Sequence, residues 1–132
     1  MSDSVSLSIG SLVTAQYKTG EYIGEVVEQS SPSKAAVQIL AVVKHPSQGD
    51  LHNPMNPNVP FFHQRRALAF REIALMPLYT IQPYEGDVPD YKTSLDRSLQ
   101  EEMDAMKQSP YKEWAERCLE ELVLLKQDYG LV

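Results

Sequence analysis

Residues 12–28, LVTAQYKTGEYIGEVVE, decide the fold. Val13, Ala15 and Tyr17 fall on one face by period two, the chain reverses at Lys18-Thr19-Gly20, and Tyr22, Gly24 and Val26 then alternate with Ile23, Glu25 and Val27. Two alternating runs around a short polar break make a β-hairpin, with Gly20 expected to supply the positive φ of a tight turn. Outward from it, Gln29-Ser30-Ser31-Pro32-Ser33 reads as a turn and AAVQILAVVKH, residues 35–45, as a further strand. That strand is apolar on both faces. It is therefore either covered on both sides or long and bent enough to serve two sides of a small barrel.

The next stretch, HPSQGDLHNPMNPNVPFFH at 45–63, carries Pro46, Pro54, Pro57 and Pro60, too closely spaced for a helix or a paired strand. It must be a long loop, and Leu51, Met55, Val59, Phe61 and Phe62 predict that it is packed down on the barrel. Strand alternation returns over 66–73, where Leu68 and Phe70 alternate with Ala67, Ala69 and Arg71, and Pro77 and Pro83 bracket at most one more short strand. From Asp90, a plausible N-cap, the period changes to about 3.6. Tyr91, Leu95, Leu99, Met103 and Met106 form one apolar stripe. A second helix is expected with Ser109 as N-cap, Pro110 at its first position and Gly130 as its C-terminal cap. Its apolar positions are Tyr111, Trp114, Ala115, Cys118, Leu122, Leu125 and Tyr129, widened by Leu119, Val123 and Leu124. The expected architecture is α+β: a barrel of about five strands over residues 1–89, followed by an antiparallel helical hairpin over 90–132 that packs on it as one compact unit.

At 132 residues, 42% apolar and 23% charged, the chain has the size and composition of a single globular domain. The charge of -6 is unevenly placed. Residues 1–84 balance, with Asp3, Glu21, Glu25, Glu28, Asp50 and Glu72 against Lys18, Lys34, Lys44, Arg65, Arg66 and Arg71, so the whole excess lies in residues 85–132. Neither part offers the net basic footprint that phosphate neutralisation demands, and nucleic acid is not an expected partner. One cysteine, Cys118, permits no internal disulfide and suits a reducing compartment. MSDSVSLSIG shows neither the basic nor the apolar region of an export signal, and no run of about 18 apolar residues occurs. Membrane contact is expected only through a partner.

The candidate site is the proline-rich loop with its flanks. His45, His52 and His63 lie along it with Asp50 among them, and Arg65 and Arg66 follow. Three imidazoles and a carboxylate are an adequate metal set in principle. The spacing is not that of a helix-borne zinc motif, however, and hydrogen bonds that hold the loop are the simpler use of these groups. No metal and no cofactor is expected, and a small metal- or ligand-binding protein is kept as the alternative. Cys118, spaced with Trp114 and Leu122, reads as an apolar filler and not as a nucleophile.

Four ordered blocks carry a resemblance: YKTGEYIGEV at 17–26, KHPSQGDLHNP at 44–54, FFHQRRALAFRE at 61–72 and PYEGDVPDYKTSL at 83–95. Together they resemble kinase-associated protein B of endospore-forming bacilli, across nearly the whole chain. The resemblance implies an SH3-like β-barrel with a C-terminal helical part. It also implies a noncatalytic accessory role: binding and activating a membrane sensor histidine kinase that feeds the phosphorelay initiating sporulation. It brings no catalytic residues. The location implied is cytoplasmic, with any presence at the inner face of the membrane coming through the kinase. A lipoprotein label sometimes given to the family is not matched, because no cysteine stands near the N-terminus. The partner-binding residues expected on this reading are His45, Asp50, His52, His63, Arg65 and Arg66.

Overall fold

A computed structural model of the protein describes residues 8–131; the segment 1–7, part of the stretch read above for export signals, and residue 132 lie outside the described residues. The hairpin forms as its alternation requires. β1 (Leu12–Tyr17) runs antiparallel to β2 (Gly20–Ser31), with Val13 opposite Gly24, Ala15 opposite Tyr22 and Tyr17 opposite Gly20. The positive φ of the turn belongs to Lys18, at 54°, and not to Gly20. Gly20 is needed for space instead, since a Cβ there would stand 2.6 Å from the Tyr22 hydroxyl oxygen. β2 also continues through most of the expected turn, and the reversal shrinks to Pro32 and Ser33. Ser31 Oγ closes it by accepting from the backbone N–H groups of Ser33 at 3.2 Å and Lys34 at 3.1 Å.

β3 (Lys34–Lys44) pairs with β2, and their register shifts at several points, among them between Ile23 and Gly24 and between Val26 and Glu28. Each shift adds twist and bend to the pair. This is how β3 buries Ala35, Ala36, Val37, Ile39, Ala41 and Val42 without strict alternation. β4 (Ile73–Pro77) follows on β3, a 3₁₀ turn (Leu78–Thr80) comes next, and β5 (Gln82–Pro83) returns to β1. The order is β4-β3-β2-β1-β5, entirely antiparallel. The expected closure into a barrel is corrected here: the sheet is open, with β4 and β5 as its unjoined edges. Proline explains this. Pro77 ends β4, and β5 is two residues long, with Pro83 lacking the N–H that a continuing ladder would use. The strand expected over 66–73 is likewise absent before Ile73: the backbone N–H groups of Ala67 and Leu68 bond to tyrosine hydroxyls, and only Arg71 and Glu72 reach the β3 backbone, at Ile39.

The two helices stand close to expectation. α1 (Tyr91–Lys107) is capped by Asp90, whose carboxylate accepts from Thr93 N–H at 3.1 Å. α2 (Lys112–Asp128) starts two residues later than its proline suggested, although Ser109 Oγ does accept from Tyr111 N–H at 3.1 Å. At its end Gly130, with φ of 75°, lets Leu131 N–H reach Lys126 O at 3.1 Å, the bond of a Schellman cap. The helices run antiparallel: Tyr91 at the start of α1 and Tyr129 just past α2 line one cavity, while Met106 and Ala115 line another at the opposite end. Leu95, Leu99, Leu122 and Leu131 join Val13, Val26, Val37, Ile39, Val42 and Met76 in one buried cluster. Ser94 pins α1 to the sheet, its hydroxyl accepting from Val42 N–H at 2.9 Å. Tyr111, Val123 and Leu124, expected in the apolar stripe of α2, are instead exposed.

Candidate functional site

Between β3 and β4 the chain runs from 45 to 72 with neither helix nor strand, and its two ends are knitted together by side chains. Gln48 is buried and behaves as a substitute peptide group. Its amide nitrogen donates to Pro46 O at 3.0 Å and Arg65 O at 2.9 Å, while its amide oxygen accepts from Arg65 N–H at 2.9 Å. Gly49 N–H donates to His63 O at 2.9 Å, and the Arg65 guanidinium donates to the carbonyls of Ser47 and Gly49. Burial pulls that guanidinium down from its ordinary value, and the Asp50 carboxylate opposes the shift. Gly49, with φ of 95°, is obligatory here, since a Cβ would also meet the Phe62 ring at 3.0 Å. Ser47 N–H donates to Thr19 Oγ1 at 2.9 Å, which ties the loop base to the first hairpin.

His45 closes the base from beneath. It is fully buried, so it offers a partner no surface of its own. Its Nδ1–H donates to Pro46 O at 3.0 Å and its Nε2 accepts from the Tyr129 hydroxyl at 2.8 Å. Tyr129 Oη in turn accepts from Ala67 N–H at 2.9 Å. The chain of donors is complete only with a neutral imidazole, and burial holds the His45 pKa down at about 4. Tyr22 accepts from Leu68 N–H at 3.2 Å, and Tyr91 donates to Leu68 O. Three tyrosines from β2, α1 and the end of α2 thus satisfy the backbone of 67–68, which is why this segment needs no strand partner.

The far part of the loop is on the surface, and the expectation that its apolar residues are packed down is corrected. Leu51 is 44%, Met55 45% and Phe61 72% exposed, whereas Val59 and Phe62 are half-buried. The tip is shaped by its own polar groups. Asp50 accepts from the Asn53 side chain at 3.1 Å and the His52 N–H at 2.9 Å, and these bonds hold its carboxyl below the usual range. His52 and His63 are exposed, and the ring of His63 stacks on Phe61 with centroids 5.7 Å apart. Phe62 lies under the Arg117 guanidinium at 4.7 Å, and Gln64 donates to Glu121 at 3.1 Å, so α2 holds the returning limb. Arg66 lies further along, over the Tyr129 ring at 5.3 Å and 3.5 Å from Asp128.

The six candidate residues therefore separate. His45 and Arg65 belong to the base, Asp50, His52 and His63 to the displayed loop, and Arg66 to a neighbouring surface near a cavity of about 460 Å³ lined by Glu72, Tyr91 and Tyr129. The histidines do not converge, and among the described residues no three of His, Cys, Asp and Glu lie where they could hold a metal ion. Cys118 is buried, and burial pushes its thiol up to about 12. Gln48, Tyr129, Arg117 and Glu121 were not recognised from the sequence as loop-holding groups. Tyr129 carried a signal, since a tyrosine on an apolar stripe needs a partner for its hydroxyl; Gln48 carried none.

The arrangement is that of a firmly based loop presenting apolar and polar side chains, and relatives share the chain that builds it. Residues 17–130 match the family model described as Kinase associated protein B. Kinase-associated lipoprotein B of Bacillus subtilis (strain 168) is 45% identical over 120 residues, covering 91% of this chain and 92% of that protein. The X-ray crystal structure of kinase-associated protein B from Bacillus cereus is similar at a TM-score of 0.76 and 43% identity, covering 94% of this chain and 98% of that one. No helix among the described residues is long and apolar enough to cross a membrane.

Proposed function

The chain belongs to the kinase-associated protein B family, and from that premise we propose that it is a noncatalytic accessory protein that binds a membrane sensor histidine kinase and raises its activity in the sporulation phosphorelay. The observation that carries the reading is the family match along the length of the chain, including every residue of the loop and its base. The protein works in the cytoplasm and reaches the membrane only through the kinase. The open sheet, with β5 returning to β1 after a 3₁₀ turn, is consistent with descent from an SH3-like barrel.

The contact surface on this reading is the displayed part of the loop with its flank: Asp50, His52, His63 and Arg66, together with exposed Leu51, Met55 and Phe61. Met and aromatic side chains are enriched in the centres of protein interfaces, and a loop already held by its base loses little entropy on docking. His45 and Arg65 contribute by holding that base. Activation requires differential binding. If the active kinase is contacted about tenfold more tightly than the inactive form, the equilibrium moves by about 1.4 kcal/mol.

The test is autophosphorylation of the purified sensor kinase with and without this protein, beside a pull-down. Wild-type protein should bind and raise the rate, and Phe61→Ala and His52→Ala should weaken association by about tenfold or more with unchanged melting. Folded variants that bind normally would remove the loop from the interface. Failure of the wild-type protein to associate with any histidine kinase would remove the function.

A further inference from the structure

The outer face of α2 is built to receive another helix. Glu116, Glu120 and Leu124 form one row at four-residue spacing and Leu119 and Val123 the next, and between them lies an open concavity of about 550 Å³. Parallel i, i+4 rows with a groove between them are the surface into which a second helix sets its own ridge. Val123 is 42% and Leu124 49% exposed, so this face is apolar and uncovered among the described residues. A smaller concavity sharing Glu116 and Leu119 extends it to Met106 of α1, where Lys107 and Lys112 close the end.

Charge decides the occupant. We infer that the groove along Leu119, Val123 and Leu124 docks an amphipathic helix of a partner protein whose apolar ridge is flanked by Lys or Arg placed to meet Glu116 and Glu120. Glu116 and Glu120 are exposed. Among the described residues Glu120 is engaged by Arg117 alone, at 3.3 Å, a solvated pair that exchanges at little cost. A second copy of the chain is disfavoured, because a twofold contact would set the same glutamates against each other on molecules of charge -6. An anionic membrane surface is disfavoured for the same reason. The contact is small, which makes it weak and reversible. It does not rest on the kinase reading.

The probe is a labelled helical peptide of about 18 residues, with leucines at i, i+3, i+4 and i+7 and lysines along both flanks. It is titrated into the full chain by fluorescence anisotropy, and its site is mapped by amide shifts. Saturable binding centred on α2 is expected, weakened at least about tenfold by Val123→Asp and by the pair Glu116→Lys and Glu120→Lys, with the melting temperature unchanged. Absence of saturable binding would overturn the inference. So would shifts confined to another surface, equal binding by a peptide with serines in place of the leucines, or unaltered affinity of the variants. Sedimentation showing a dimer that Leu124→Asp dissociates would assign the face to a second copy instead. No kinase is present in these measurements, so their failure leaves the proposed function untouched, and the converse holds as well.

Discussion

His45 follows β3 directly and joins the loop base to the end of α2 through both ring nitrogens. Its ordinary pKa of 6.5 is lowered to about 4 by burial, against the bond to Pro46 O and with help from the Lys44 charge. Between those values the unfolded chain binds more protons than the folded one. The neutral imidazole's contribution is therefore intact above about pH 6.5 and is lost as the pH falls toward 4, by about 3 kcal/mol in total. Urea unfolding across this range should show the loss in wild type and a flatter profile in His45→Gln, which cannot titrate. The comparison separates His45 from Glu102, whose carboxyl is raised by burial and whose protonation acts in the opposite sense. Equal slopes in the two proteins would mean that His45 charges without breaking its bonds. The sequence placed His45 at the edge of the loop; it could not show that Tyr129, distant in the chain, supplies its second hydrogen bond.

At the scale of elements, the loop is two structures and not one. Residues 46–49 and 62–68 are bonded to each other and to the tyrosines, whereas the tip between them bonds mainly to itself through Asp50, Asn53 and Asn56. Amide exchange should reflect this division. The N–H groups of Gly49, Arg65, Ala67 and Leu68 should exchange slowly and those of 51–60 fast, and uniform rates along the loop would refute it. The four prolines made the loop legible, and the change of period at Asp90 made both helices legible to within about two residues. The apolar tip residues misled, because hydrophobicity predicts burial somewhere and does not specify whether the cover is this chain or a partner. Strand alternation over 66–71 misled for a related reason. Alternation describes two faces, but a ladder also needs a free neighbouring edge, and at Ala67 and Leu68 tyrosine hydroxyls occupy the positions that a strand would use.

For the whole molecule, the sheet and both helices share one buried cluster, and α1 is bonded to β3 through Ser94 and paired across Lys44 and Glu102 at 3.8 Å. Truncation after Pro89 would uncover the apolar face that Leu95, Leu99 and Leu122 seal. The shortened chain should aggregate or lose its cooperative transition in calorimetry, and an unchanged melt would show that the sheet stands alone. What the sequence by itself determined is set by short-range physics: the first hairpin and the strand after it, the helices with the Asp90 and Gly130 caps, the unpaired course of the proline-rich loop and the concentration of negative charge in residues 85–132. Only the tertiary structure decided that the sheet stays open, that His45 is interior while His52 and His63 face solvent, and that Val123 and Leu124 lie outside the core. Those outcomes depend on which distant groups meet. Closure needs an edge whose N–H groups Pro83 cannot complete, burial of an imidazole needs the Tyr129 hydroxyl, and the exposed side of α2 is whatever the sheet and α1 leave uncovered.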